Sequence, residues 1–198
     1  PLELISTAEA EPDRAWKQGP VPPEHAIRGF HHVTLTEEGY ERTAVLLTET
    51  LGFRLSESKG NRFRYATPAS LISKAGMMVD VVCMPAGRPG LVAVGTVHHV
   101  AWRTPTDEQQ VEWRKALSAQ DYNVTPVIDR KYFHSIYFRE PGGVLFEIAT
   151  DPPGFAIDEP AEELGSHLVL PDWLEPHRAK LQQVLPQLRL PQARRLAA

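Results

Sequence analysis

Three short segments of this sequence carry side chains suited to holding a metal ion. His98 and His99 stand side by side at the start of one apolar run, and His31 and His32 do the same upstream. Glu147 is a single carboxylate inside the apolar run 144–149. A carboxylate is rarely buried unless it is paired or binds a metal, because its desolvation is costly. Two histidines and one carboxylate form the ligand set of non-haem Fe(II) sites, which leaves coordination positions open.

Each of these residues also has an ordinary interpretation. A single histidine on a strand is usually a structural residue, and Glu147 could pair with Arg130 or Arg139 instead of a metal. Zinc, nickel or manganese could occupy the same ligand set as iron, and a redox-silent metal would imply Lewis-acid chemistry.

An internal repeat favours the metal interpretation. The same offset of 67 positions separates His32 from His99 and Asp80 from Glu147. Equal offsets between chemically similar residues indicate two copies of one structural unit. Each unit contains a strand that begins with the His-His pair, then a helix, further strands and a final strand with a carboxylate.

The alternation of apolar residues predicts the elements of both units. The first unit has a strand over 26–35, a helix over 37–51 and strands at 53–56, 62–67 and 77–84. The second has a strand over 95–103, a helix over 106–119 and strands near 122–128, 132–139 and 144–150. The predicted domains are an N-terminal arm (1–26), module A (27–87), module B with the metal site (88–155) and a C-terminal arm with a short helix (156–198). The fold class is therefore α+β, with two βαβββ modules.

The turn before Glu147 decides which residues share its face of the sheet. If the hairpin loop is the three residues Pro141–Gly143, Tyr137 lies opposite Glu147 and faces the same cavity. A loop of two or four residues would put the two side chains on opposite faces.

Composition narrows the range of functions. The 198 residues carry a formal net charge of −4 and no basic run in the body of the chain, which argues against a nucleic-acid partner. No apolar run approaches the roughly 20 residues that a membrane span requires. A single cysteine, Cys83, cannot form an intrachain disulfide, so we expect a cytoplasmic protein without a signal peptide.

The repeated His-His-Val motif and Phe146-Glu147-Ile148 resemble the vicinal oxygen chelate superfamily. The segments 129–143, 149–155 and 173–178 are similar, more specifically, to its hydroquinone-type ring-cleaving dioxygenases. The resemblance covers roughly residues 27–188 and implies that the two modules form a paired-module mixed β-barrel. It also implies Fe(II), with Mn(II) as an alternative, and a small aromatic substrate with O2. Modules of this superfamily pair between chains as well as within one, so a homodimer is expected.

The resemblance assigns roles residue by residue. His99 and Glu147 match metal ligands, and His98 matches a histidine near the substrate. Tyr137 matches a tyrosine that hydrogen-bonds or protonates the oxygenated intermediate, and Arg130 matches an arginine beside the bound ring. Three alternative functions stay open: a glyoxalase-like isomerase or lyase, a metal-free drug-binding protein, and a non-catalytic fragment.

The third metal ligand has two candidates. Relatives of this type are longer, with another pair of modules before this one. In the hydroquinone branch the third ligand comes from the first strand of that preceding half. In catechol-cleaving relatives it comes from the module before the His99-type module, which here makes it His32.

Overall fold

The computed structural model describes residues 2–6, 15–16, 19–68, 78–87 and 90–186, and these residues form two four-stranded mixed sheets. The strands of the first sheet are β1 (Val33–Glu37), β2 (Arg54–Lys59), β3 (Arg62–Ala66) and β4 (Met78–Cys83), in the order β1-β4-β3-β2. The strands of the second are β5 (Val100–Thr104), β6 (Ile128–Asp129), β7 (Phe133–Arg139) and β8 (Leu145–Pro153), in the order β5-β8-β7-β6.

One helix packs against each sheet. The first, α1 (Glu41–Val45), continues as a π-helical turn over Leu46–Thr50. The second, α2 (Asp107–Ser118), begins after Thr106, whose hydroxyl accepts a hydrogen bond from the backbone of Gln109. Near the C-terminal end, a 3-10 turn (Asp172–His177) leads into α3 (Arg178–Val184), and shorter 3-10 turns lie at Pro23–His25 and Phe155–Ile157. None of the helices in the described ranges has the length and apolar character of a membrane span.

The strand register confirms the internal repeat. The first and last strands of each module are parallel neighbours, pairing Val33 with Val79 in one sheet and Val100 with Phe146 in the other. Both residues of the second pair lie 67 positions after those of the first. The α+β class and the two βαβββ modules predicted from the sequence are therefore confirmed.

Both modules contribute to one hydrophobic core. Phe146 and Ile148 of β8 belong to the same buried cluster as Val79 and Val81 of β4. Successive side chains of a strand point to opposite faces of the sheet. The carboxylates between these apolar residues, Asp80 and Glu147, therefore face away from the core.

Several helices and strands begin or end at residues other than those predicted from the sequence. The strands β1 and β5 begin one residue after the His-His pairs, so the histidines precede the strands instead of lying within them. The first helix begins at Glu41 because Glu37 still belongs to β1. Of the strand predicted at 122–128, only Ile128 is in a strand. Residue 77, the first of the strand predicted at 77–84, lies outside the described residues. The module boundary at 87/88 stays a prediction, because residues 88–89 lie outside the described residues as well.

Candidate active site

Glu147 is the centre of the candidate site. It is 3% exposed, and its carboxylate contacts side chains of β7 and of the segment before β5. The hydroxyls of Ser135 and Tyr137 both donate hydrogen bonds to Oε1, the Tyr137 oxygen from 2.7 Å. On the other oxygen, Oε2, the Nε2 atom of His99 lies 2.7 Å away. The two oxygens therefore have different partners, two neutral hydroxyls on one and an imidazole on the other.

The hairpin between β7 and β8 produces this arrangement. Glu140 donates its backbone N–H to the carbonyl of Val144, which closes a three-residue loop, and Tyr137 pairs with Glu147 across the strands. The conditional prediction from the loop length is confirmed. Gly143 has φ +93°, a conformation that favours glycine at this turn position.

The alternative ion pair for Glu147 does not form. The guanidinium of Arg139 donates to the carbonyl of Gly143 at 2.7 Å. The guanidinium of Arg130 donates to the hydroxyl of Tyr137 at 3.2 Å and lies 5.4 Å from the centre of its ring. Both arginines therefore have partners other than Glu147.

A tight turn between β6 and β7 positions Arg130. The carboxylate of Asp129 accepts a hydrogen bond from the backbone N–H of Lys131, and Lys131 has φ +70°. An aspartate that bonds the backbone two residues ahead commonly fixes such turns. Arg130 is thus held over Tyr137 by local backbone geometry while its side chain stays exposed.

His98 and His99 form a linked pair. Their Nδ1 atoms lie 2.9 Å apart, and their rings meet edge to face. His99 therefore uses Nδ1 toward His98 and Nε2 toward Glu147. Metal-binding histidines usually have their second ring nitrogen hydrogen-bonded in this way, which fixes the orientation of the ring.

His32 occupies the equivalent place in module A. Its Nδ1 lies 2.7 Å from Nδ1 of His31, and its Nε2 lies 3.3 Å from Asp80, as expected for the repeat. Burial lowers the pKa of His32, and this effect exceeds the opposite effect of the Asp80 charge. The histidine and its carboxylate thus reproduce the His99–Glu147 pair.

The surroundings of the two carboxylates differ in charge. Asp80 is completely buried and accepts hydrogen bonds from Arg62 at 2.7 Å and from Arg64 at 2.7 and 2.9 Å. Burial alone would raise the pKa of Asp80, but the hydrogen bonds from the two guanidiniums outweigh it and lower that pKa. Two fixed positive charges already neutralise this carboxylate, so a metal cation beside it would be repelled.

The donor atoms at Glu147 fit a divalent metal in part. His99 Nε2 and Glu147 Oε2 are two of the ligands that a two-histidine, one-carboxylate site requires. Within the described ranges, no group of three or more His, Cys, Asp or Glu residues could hold a metal ion. The set of His32, His99 and Glu147 predicted from the sequence is therefore not assembled, and His32 has Asp80 as its partner instead.

Sequence reasoning missed Ser135, Arg62 and Arg64. Each shares a sheet face with one of the two carboxylates, so strand alternation from Tyr137 back to Ser135 could have identified the serine. Arg62 and Arg64 share a face of their own strand, but only the pairing of β3 with β4 places them beside Asp80.

Residues 29–148 match the family model of the Glyoxalase/Bleomycin resistance protein/Dioxygenase superfamily. A protein of Bacillus subtilis named provisionally as the ring-cleaving dioxygenase MhqO is 44% identical over 184 residues, which are 93% of this chain and 57% of that protein. The chlorohydroquinone/hydroquinone 1,2-dioxygenase of Sphingobium indicum is 35% identical over 179 residues, covering 88% of this chain and 53% of the enzyme.

A solved structure agrees with these matches. The crystal structure of a provisionally named dioxygenase from Bacillus subtilis superposes with a TM-score of 0.79 at 44% identity, over 86% of this chain and 54% of that one. The chain thus spans little more than half the length of the relatives that it matches.

Proposed function

Because this chain belongs to the Glyoxalase/Bleomycin resistance protein/Dioxygenase superfamily, we propose that it is a ring-cleaving dioxygenase acting on a dihydroxylated aromatic such as a hydroquinone. The observation that carries the proposal is the contact of His99 Nε2 with Glu147 Oε2, on the face of the second sheet that points away from the core. The names of the relatives support the reaction class, and one of them is named for hydroquinone.

Fe(II) is the proposed metal, with Mn(II) as an alternative. His99 and Glu147 in module B, residues 88–155, would hold it, and a third ligand would complete the set. That ligand is either a histidine from the first strand of a preceding pair of modules or His32, which would first have to leave Asp80. When bound, such a metal supplies a path for electrons between the aromatic ring and O2.

The other residues of the site would bind the substrate and position the groups that exchange protons with it. The guanidinium of Arg130 is exposed and offers donors to a substrate hydroxylate or to a carboxylate on the product. Tyr137 carries a hydroxyl proton beside that guanidinium and can donate it to, or share it with, a developing oxyanion. His98 holds the ring of His99 and is itself exposed, so it can also exchange a proton with the substrate.

The proposed protein is cytoplasmic and forms a homodimer. Cys83 is a free thiol, which suits the reducing cytoplasm. Neither nucleic acid nor a membrane is proposed as a partner, and a homodimer is the proposed assembly.

The test begins with protein loaded anaerobically with Fe(II), followed by measurement of O2 uptake with hydroquinone and with catechol. We expect about one iron per chain and uptake with hydroquinone. His99→Ala and Glu147→Ala should each abolish both metal retention and uptake. His32→Ala should do the same only if His32 is the third ligand.

Matched variants control for general damage to the fold. His25→Ala and Glu112→Ala change exposed residues of the same two types and should keep both iron and uptake. Retention of zinc or nickel without O2 uptake would contradict the dioxygenase and favour a glyoxalase-like isomerase or lyase. Failure to retain any metal would favour a non-catalytic binding protein.

A further inference from the structure

The two modules place the same two positions of a neighbouring strand beside their carboxylates. Tyr137 lies opposite Glu147, and Arg64 lies opposite Asp80 in the matching register. Two residues earlier on each strand, Ser135 pairs with Ala149 and Arg62 with Val82, and those partners again lie 67 positions apart. Serine and tyrosine in module B therefore stand where module A has two arginines.

This exchange changes the charge that each carboxylate presents. In module A, two guanidiniums bind both oxygens of Asp80. In module B, the donors are hydroxyls, which carry no charge and hold only Oε1 of Glu147. Glu147 therefore has two uncharged donors where Asp80 has two guanidiniums, and its Oε2 faces His99.

We infer that Ser135 is a positioning residue for the metal site, and that it fixes Glu147 so that Oε2 alone is offered to a metal. Ser135 is 0% exposed, so no bulk water competes for its hydroxyl. It follows a shift of strand register between Phe133 and Ser135, and such irregularities commonly redirect a side chain. The inference rests on the proposed function in one respect, that module B binds a divalent metal.

If the serine hydroxyl is lost, the hydroxyl of Tyr137 still donates to Oε1, but one hydrogen bond then holds that oxygen instead of two, and Glu147 turns more easily. A carboxylate held on one oxygen binds a metal through the other, whereas a carboxylate free to turn can bind through both. Residues that orient metal ligands typically contribute roughly 10- to 100-fold to metal affinity. Loss of Ser135 should therefore weaken binding and also change the coordination of the metal.

The experiment titrates Co(II) into the full chain under anaerobic conditions, with calorimetry for affinity and visible absorption for coordination. Ser135→Ala should bind Co(II) roughly 10- to 100-fold more weakly and should change the absorption spectrum. Ser135→Thr keeps a hydroxyl and should restore the spectrum of the unmodified protein. Ser118→Ala, an exposed serine at the end of α2, should change neither property.

Thermal unfolding of each variant separates positioning from a structural role. A Ser135→Ala protein with a lower melting temperature but unchanged Co(II) affinity and spectrum would overturn the inference and leave the proposed function intact. The inference would fail in the same way if Ser135→Thr folded and still gave the spectrum of Ser135→Ala. An unmodified protein that binds no Co(II) would overturn the proposed function, and this inference with it.

Discussion

At the scale of single residues, Tyr137 links the carboxylate of Glu147 to the exposed guanidinium of Arg130. Its hydroxyl donates to Glu147 at 2.7 Å and accepts from Arg130 at 3.2 Å. Ser135 donates to the same carboxylate oxygen but is completely buried, away from any substrate that approaches from solvent. In the proposed function, Tyr137 is therefore the hydroxyl that would exchange a proton with a substrate held by Arg130.

Replacing Tyr137 by phenylalanine tests this division of roles. The ring stays, the proton is lost, and Ser135 still holds Glu147, so we expect kcat for hydroquinone-dependent O2 uptake to fall by about 10²-fold. KM should change much less, because Arg130 remains. Steady-state kinetics measures both quantities.

The matched control is Tyr122→Phe. Tyr122 is a half-buried tyrosine of the same module whose ring packs against Phe138, away from the carboxylate. The Tyr122→Phe substitution should leave kcat unchanged. A Tyr137→Phe enzyme that also kept its full kcat would show that this hydroxyl takes no part in the rate-limiting chemistry.

The residues of the site differ in how far the sequence determines them. Tyr137 and Glu147 can be paired in advance, because the loop length fixes their register. The contact of His32 with Asp80 cannot be understood from the sequence in this way. The offset of 67 positions identifies His32 as the equivalent of His99, but it gives no information on the charges around Asp80. Those charges come from Arg62 and Arg64 on a neighbouring strand, and only the observed strand pairing brings them to the carboxylate.

At the scale of secondary-structure elements, α2 is joined to the second sheet by one buried amide. Nε2 of Gln110 donates to the carbonyl of His134 at 2.7 Å and to the carbonyl of Ile148 at 2.8 Å. These carbonyls belong to β7 and β8, and His134 lies where the register of the two strands shifts. The backbone N–H of His134 finds its own partner in the hydroxyl of Thr150.

Gln110→Leu should destabilise the protein by about 2–3 kcal/mol, because two buried carbonyls would lose their donor. Chemical denaturation in urea measures this change in the free energy of unfolding. Gln183→Leu alters an exposed glutamine of α3 and should change the free energy of unfolding by less than about 0.5 kcal/mol. Equal effects of the two substitutions would contradict the proposed bridge.

Boundaries of elements are predictable where local signals are strong. Thr106, Asp107 and Glu108 predict the start of α2 within one residue, because a capping hydroxyl and acidic residues belong at a helix N-terminus. The sequence pattern assigns Glu37 to the first helix, and nothing in the local sequence argues against that assignment. Its place at the end of β1 follows from pairing with Cys83 of β4, a strand that is distant in the sequence and that local patterns therefore do not contain.

At the scale of the whole molecule, Glu37 belongs to a buried polar contact between the modules. The hydroxyl of Thr43 lies 2.7 Å from Oε2 of Glu37 and 2.6 Å from Oε2 of Glu140. Both carboxylate oxygens of Glu140 also accept hydrogen bonds from backbone N–H groups, Oε2 from Gly142 and Oε1 from Val144. One hydroxyl has one proton, so the two short contacts require a second proton, and Glu37 is the residue that can carry it.

The other surroundings of Glu37 agree with a neutral carboxyl. Its Oε1 is buried without a hydrogen-bond partner among the described residues, and a Cβ at Gly142 would overlap the side chain. Burial raises the pKa of Glu37 to about 7, and the charge of Glu140 adds to this effect while the Thr43 hydrogen bond opposes it.

This raised pKa makes stability depend on pH in a defined direction. Between pH 4.5 and about 7, the unfolded chain releases the proton of Glu37 and the folded chain retains it, so the free energy of unfolding falls as pH rises. Above the folded pKa the loss is complete, and a shift of this size corresponds to at most about 3 kcal/mol.

Glu37→Gln stays neutral at every pH, so it should raise the melting temperature at pH 8 and change it little at pH 4.5. Melting curves across this range measure the difference, with the exposed Glu112→Gln as a control that should show no such trend. An equal shift of the melting temperature at both pH values would show that folding does not raise the pKa of Glu37, and it would contradict the shared proton between the modules.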